Sequence, residues 1–161
     1  MMPPVSALAA GQAAPEFRLR GAAGQFVALS EHRGQQAVVV LFYPLAFTPI
    51  CAQQLPELEA ARLRLEDLGA TVIGISVDSW QANEVFARQI GVRYPLLSDF
   101  RREVSRAYGV LDETRFTSGR ALFVIDRAGT IVHSETAGDP DDPAEVPALE
   151  RILRVLEGLR R

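Results

Sequence analysis

The sequence predicts an α/β fold, a mixed sheet with flanking helices and an N-terminal hairpin. Three observations carry that reading. Residues 37–43, 71–77 and 121–125 are short apolar runs rich in β-branched side chains, with the length of strands buried on both faces. The first two runs are each followed by a segment with helix start and stop signals. The third is followed by a turn at residues 127–129 and a strand at 130–135 that can pair back antiparallel, then by a closing amphipathic helix. Strand, helix, strand, helix, antiparallel pair, helix is the order of a mixed α/β sandwich.

The elements follow in chain order. Residues 1–12 read as a loose leader. Residues 17–20 and 26–29 form a hairpin around Gly21 and Gly24. Ser30 caps a single turn over residues 31–33, closed by Gly34. The helix from Pro49 to about Leu68 has Leu58, Leu65 and Leu68 on its apolar stripe and stops at Gly69. Pro56 lies inside it and should kink or divide it, because its ring removes a backbone hydrogen bond. Ser79 caps a helix running to Gln89, with Gly91 as the stop. Residues 95–97 are extended, and residues 103–108 form a short helix ended by Gly109. Residues 112–119 are polar and read as a loop, as do residues 139–143. The closing helix spans residues 144–159, with Leu149, Ile152, Leu153, Leu156 and Leu159 at helical spacing.

Composition bounds the function. A chain of 161 residues is expected to be one domain with a sizeable core. Its hydrophobic fraction of 48% and charged fraction of 23% are ordinary for a globular protein. With a net charge of −3 and no basic block, nucleic acid is not an expected partner. All 17 Lys and Arg residues are arginine, which reads as a codon or lineage bias rather than a site. No apolar run reaches membrane-spanning length, and the N-terminus lacks the basic start of a signal peptide. One cysteine cannot make an internal disulfide, so the expected location is the cytoplasm.

That cysteine is the centre of the chemistry. Thr48-Pro49 is a helix-start signal: threonine suits the N-cap, and proline suits the first position, where no N–H is needed. Cys51 then falls in the first helical turn, facing unpaired N–H groups and the positive end of the helix dipole. A thiolate is stabilised in such a place, and the thiolate is the nucleophile. The plain alternative is a small buried hydrophobe. Against it stands the location, a strand-to-helix loop where ligands of open α/β sheets collect. Thr48 serves either as a helix cap, as a hydroxyl beside the sulfur, or as both. Pro44 can simply end a strand. His32 and His133 show no spacing that pairs them with the cysteine, so a cysteine–histidine hydrolase ranks low, and no metal-ligand spacing occurs.

The run Pro44-x-x-x-Thr48-x-x-Cys51 resembles the P-x-x-x-T/S-x-x-C signature of the peroxiredoxins. The string Phe42-Tyr43-Pro44-Leu45-Ala46-Phe47-Thr48 is most similar to the one-cysteine alkyl hydroperoxide reductase E group. The strings 14–17, 94–99 and 119–126 fall in the family's order, so the resemblance covers nearly the whole chain. It implies a thioredoxin-like fold and a thiol-dependent peroxidase without a cofactor. At the first position of a thioredoxin-type C-x-x-C pair this chain has Thr48, so it cannot exchange dithiol and disulfide alone. By resemblance, Cys51 attacks a hydroperoxide and becomes a sulfenic acid. Thr48 supplies a hydroxyl, Arg120 the cation, and Pro44 shields the pocket. Phe47 walls the pocket or a dimer contact. Gln54 stands where the family usually has Glu, which leaves the orientation of Arg120 open. Recycling then needs an external thiol: a low-molecular-weight thiol, a glutaredoxin-like protein or thioredoxin. A homodimer is implied, with no membrane partner. The alternatives are a bacterioferritin-comigratory-type peroxiredoxin lacking its resolving cysteine, a redox sensor of the same fold without turnover, and a structural module with an inert thiol.

Overall fold

A computed structural model describes residues 6–138 and 149–160. Its centre is a seven-stranded mixed sheet. The strands are β1 (Arg18–Arg20), β2 (Phe26–Ala28), β3 (Ala37–Phe42), β4 (Ala70–Ser76), β5 (Leu96–Ser98), β8 (Ala121–Ile125) and β9 (Ile131–Thr136), in spatial order β2-β1-β5-β4-β3-β8-β9. Strands β3, β4 and β5 run parallel, and β8 returns antiparallel beside β3. All six residues of β3 are buried, as a two-faced apolar run requires. Its pleat splits them. Val39 and Leu41 join the core under α1 (Pro49–Ala60), α2 (Arg62–Asp67), α3 (Trp80–Ile90) and α5 (Leu149–Leu159). Val38, Val40 and Phe42 join Phe17, Tyr108 and Phe123 on the other face, beneath α4 (Glu103–Ala107) and the N-terminal segment.

Several expectations hold residue by residue. The hairpin forms between β1 and β2. Ser79 Oγ accepts the Ala82 N–H, and Gly91 ends α3 in the left-handed region at φ 73°. Gly69 ends the earlier helical segment at φ 76°.

Others are corrected. Residues 6–12 are not loose: Leu8 N–H donates to Tyr108 O at 3.1 Å and Gly11 N–H to Ile131 O at 2.8 Å. Residues 1–5 lie outside the described residues, as do the loop expected at 139–143 and the start of the closing helix. The turn near Ser30 is a 3₁₀ turn over Leu29–His32 and starts after Ala28, without a side-chain cap. The long helix divides at Ala61 rather than at Pro56. Leu55 and Leu58 flank Pro56 in the core and hold the backbone through the lost hydrogen bond. Ala61 N–H then bonds back three residues to Leu58 O and tightens the turn. Residues 112–119 are not merely a loop. β6 (Leu111–Asp112) and β7 (Thr117–Ser118) form a small hairpin whose tip is clamped from outside. Arg102 Nε donates to Phe116 O at 2.6 Å, and its Nη1 to Phe100 O at 2.8 Å.

One carboxylate ties α1 to the approach of β5. Glu59 Oε1 accepts the N–H groups of Arg93 at 2.6 Å and Tyr94 at 3.3 Å, while Oε2 accepts from Arg62 Nε at 3.0 Å. Burial raises its pKa, but these donors outweigh burial and hold it below the usual carboxylate value. A lowered folded-state pKa contributes stability above the unfolded value of about 4.3, and that stability is lost as pH falls through the folded value. The Tm gap between wild type and Glu59→Gln is therefore expected to be constant near neutral pH and to close in acid. Thermal melts across that range check it.

Candidate active site

The loop at residues 43–48 leaves the C-terminal end of β3 and turns into α1. Thr48 occupies the N-cap position with extended backbone, and Pro49 opens the helix. Cys51, third in the helix, is fully buried. The N–H groups of Ile50 and Cys51 lie in the first turn, where no helical acceptor precedes them.

The register of the sheet brings the cation to the sulfur. β8 pairs with β3 so that Ala121 lies across from Phe42, and the preceding residue, Arg120, falls opposite the start of the loop. Arg120 is only 2% exposed. Its Nη2 donates to Cys51 Sγ at 3.4 Å, and its Nη1 donates to Gln54 Oε1 at 2.5 Å. Gln54 sits one helical turn after Cys51, so a single guanidinium fork spans both. The orientation left open by glutamine at this position is thereby fixed: the side-chain carbonyl accepts where a carboxylate would.

Thr48 differs from expectation. It makes no side-chain cap bond; its hydroxyl donates to Leu45 O at 2.8 Å. With its proton so committed, the oxygen faces incoming groups as an acceptor. A cavity of about 590 Å³ opens beside it, lined by Pro44, Leu45, Thr48, Pro49, Ile50, Arg115, Thr117 and Arg120. Cys51 presents no surface to this cavity, but Arg120 reaches both the cavity and the sulfur. Pro44, Leu45, Pro49 and Ile50 form an apolar wall facing the two arginines.

Phe47 does not line the cavity. It is 52% exposed, holds a left-handed backbone at φ 65°, and packs its ring on Phe86 at 5.2 Å. A left-handed non-glycine residue costs about 1–2 kcal/mol, so the surrounding contacts must hold it. One such contact is Asp78, whose Oδ2 accepts the Ala46 N–H at 2.8 Å. Sequence reasoning missed Asp78, Arg115 and Thr117. The last two arrive on the β6–β7 hairpin, which looks like an ordinary polar loop in the sequence.

The arrangement can stabilise an anion at sulfur and donate to an oxygen beside it. Among the described residues no cluster of His, Cys, Asp and Glu suits a metal ion, and no helix is long and apolar enough to cross a membrane.

Residues 10–134 match the model of the AhpC/TSA family. Alkyl hydroperoxide reductase E of Mycobacterium tuberculosis is 39% identical over 127 residues, covering 78% of this chain and 83% of that protein. The crystal structure of peroxidoxin BcpB from Mycobacterium tuberculosis superposes with a TM-score of 0.84 at 26% identity, covering 96% of this chain and 99% of that one. Mycobacterium tuberculosis AhpC superposes with a TM-score of 0.82 at 26% identity, covering 96% and 94%. With its single cysteine and thioredoxin-like sheet, the chain belongs to the AhpC/TSA family of peroxiredoxins and is a thiol-dependent peroxidase of the one-cysteine type.

Proposed function

We propose that Cys51 is the peroxidatic residue and that hydrogen peroxide and organic hydroperoxides are its substrates. The observation that carries this reading is the guanidinium of Arg120 held 3.4 Å from the only sulfur nucleophile of the chain. The Cys51 thiolate attacks the terminal peroxide oxygen. The O–O bond breaks, its electron pair leaves on the other oxygen, and that oxygen takes a proton to become water or an alcohol. Sulfur is oxidised to sulfenic acid and the peroxide is reduced. Arg120 donates to the oxygen on which charge develops, alongside the first-turn N–H groups of α1. Thr48 accepts from the peroxide O–H and so orients it for in-line attack. Pro44 and the apolar wall exclude water and accommodate an alkyl group. Gln54 holds Arg120 in place.

Recycling uses an external thiol. It attacks the sulfenic acid, releases water and leaves a mixed disulfide; a second thiol then frees Cys51. A low-molecular-weight thiol, a glutaredoxin-like protein or thioredoxin would each serve. A reducing compartment such as the cytoplasm suits this cycle, with residues 1–161 acting as one domain. A homodimer is supported by a rim of exposed apolar side chains at this end of the sheet: Leu45, Phe47, Phe100 and Phe116 are 41%, 52%, 64% and 55% exposed.

Steady-state peroxide consumption with dithiothreitol tests turnover. Sustained consumption that vanishes in Cys51→Ser supports an enzyme; one equivalent consumed without turnover supports a sensor. In the same assay Thr48→Val, which removes the acceptor, is expected to lose about tenfold to hundredfold in rate.

A further inference from the structure

We propose that Asp78 is a positioning residue for the peroxidase reaction, its carboxylate fixing the loop that presents Thr48 and Cys51. This rests on the reading of Cys51 as the nucleophile. A directed chain of hydrogen bonds leads from the start of the loop to Asp78. Tyr43 OH donates to Asn83 Oδ1 at 2.6 Å, Asn83 Nδ2 to Ser76 Oγ at 3.0 Å, and Ser76 Oγ to Asp78 Oδ2 at 2.8 Å. The same Asp78 oxygen accepts the Ala46 N–H at 2.8 Å. Tyr43, Asn83 and Ser76 have no exposure. Burial first, and then the nearby Asp78 charge, push the Tyr43 phenol well above its ordinary pKa, so it stays protonated and starts the chain as a donor.

The chain therefore begins at the first residue of the loop and ends on an amide in its middle. It passes through β4, the segment after it and α3, all rigid parts of the fold. Asp78 is itself seated by Ser98 Oγ, which donates to its carbonyl at 2.6 Å, and by its own N–H, which donates to Ser76 Oγ at 3.2 Å. Ala46 precedes the left-handed Phe47, and Phe47 precedes the helix cap, Thr48. Holding the Ala46 amide thus sets the path of the loop into α1, and with it the place of the Thr48 hydroxyl oxygen beside the Cys51–Arg120 pair, which Gln54 holds independently. Asp78 touches no reacting atom.

Asp78→Ala removes the acceptor for both converging donors. Asp78→Asn keeps one carbonyl oxygen with two lone pairs, enough to accept Ala46 N–H and Ser76 Oγ–H together. Single-turnover oxidation of reduced protein by hydrogen peroxide is measured for both variants, together with the pH profile of Cys51 alkylation by iodoacetamide. Asp78→Ala is expected to oxidise about tenfold to hundredfold more slowly, the size of effect that small misplacements produce. Its alkylation profile should keep the wild-type midpoint, because the Cys51–Arg120 contact is untouched. Asp78→Asn should recover most of the rate. Wild-type rates in Asp78→Ala would overturn the proposal. So would an alkylation midpoint that moves with the rate, which would mean Asp78 acts on sulfur charge. Equal damage in Asp78→Asn would also overturn it, since charge rather than the acceptor would then matter. If Asp78→Ala fails to fold by circular dichroism, Asp78→Ser is judged by the same criteria. Failure of the peroxidase reading is distinguishable, because wild-type Cys51 would then resist oxidation too.

Discussion

Replacing Arg120 by methionine is expected to slow oxidation of Cys51 by hydrogen peroxide about 10²–10³-fold, the loss seen when a preorganised donor is taken from a developing oxyanion. Two effects combine. The ionised sulfur loses a charge-assisted hydrogen bond in a fully buried position, where an uncompensated charge is costly. The departing oxygen loses the same cation. Methionine keeps length and apolar bulk, so the core beside Gln54 remains filled. Arg120→Lys should fall between, because lysine keeps the charge but cannot span Cys51 and Gln54 with a planar fork. Stopped-flow oxidation at several peroxide concentrations gives the second-order rates. A methionine variant within threefold of wild type would remove Arg120 from the chemistry.

The largest expected effect on stability is at Gly109. Its backbone has φ +72°, and an added Cβ would fall on the Ser6 carbonyl oxygen and lie 2.9 Å from the Ser6 carbonyl carbon. The clash is with backbone, so no side-chain rotation relieves it. Ser6 and its neighbours are seated by Leu8 N–H on Tyr108 O, and Tyr108 is buried against Phe42 and Phe123. Gly109→Ala must therefore strain its own backbone and lift the N-terminal segment from the sheet face. The expected cost is about 2–3 kcal/mol, or roughly 5–10 °C in Tm. Gly91→Ala, with φ +73° but open space around it, isolates the backbone share and should cost less. Equal shifts in the two variants would show that the Ser6 contact carries no weight.

How far the sequence reveals this molecule depends on where each signal resides. Strands β3, β4 and β8 are legible because both faces are buried, so the runs are apolar throughout. Helix α3 is legible because Ser79 and Gly91 carry its ends in their own chemistry. The β6–β7 hairpin is not legible: its strands are two residues each, and its tip is held by Arg102 from another element. Residues 6–12 show no period, and backbone bonds to Tyr108 and Ile131 order them from outside. The site divides the same way. Cys51 and Thr48 are local, written into one strand–loop–helix stretch. Arg120 lies 69 positions from Cys51 and meets it only through the β3–β8 register, so resemblance to a family was needed to single it out. Asp78 lies 32 positions from the amide it holds, and no short motif marks it.

If Cys51 is a peroxidatic thiolate, the mass of its product with peroxide shows it. Reduced protein is mixed rapidly with one equivalent of hydrogen peroxide, trapped with a sulfenic-acid reagent and mapped by mass spectrometry, with Cys51→Ser alongside. The expected product carries one oxygen on sulfur, captured by the trap at Cys51 and absent from the variant. A Cys51 thiol left unmodified after excess peroxide at neutral pH would contradict it, leaving the cysteine as a core residue of the fold.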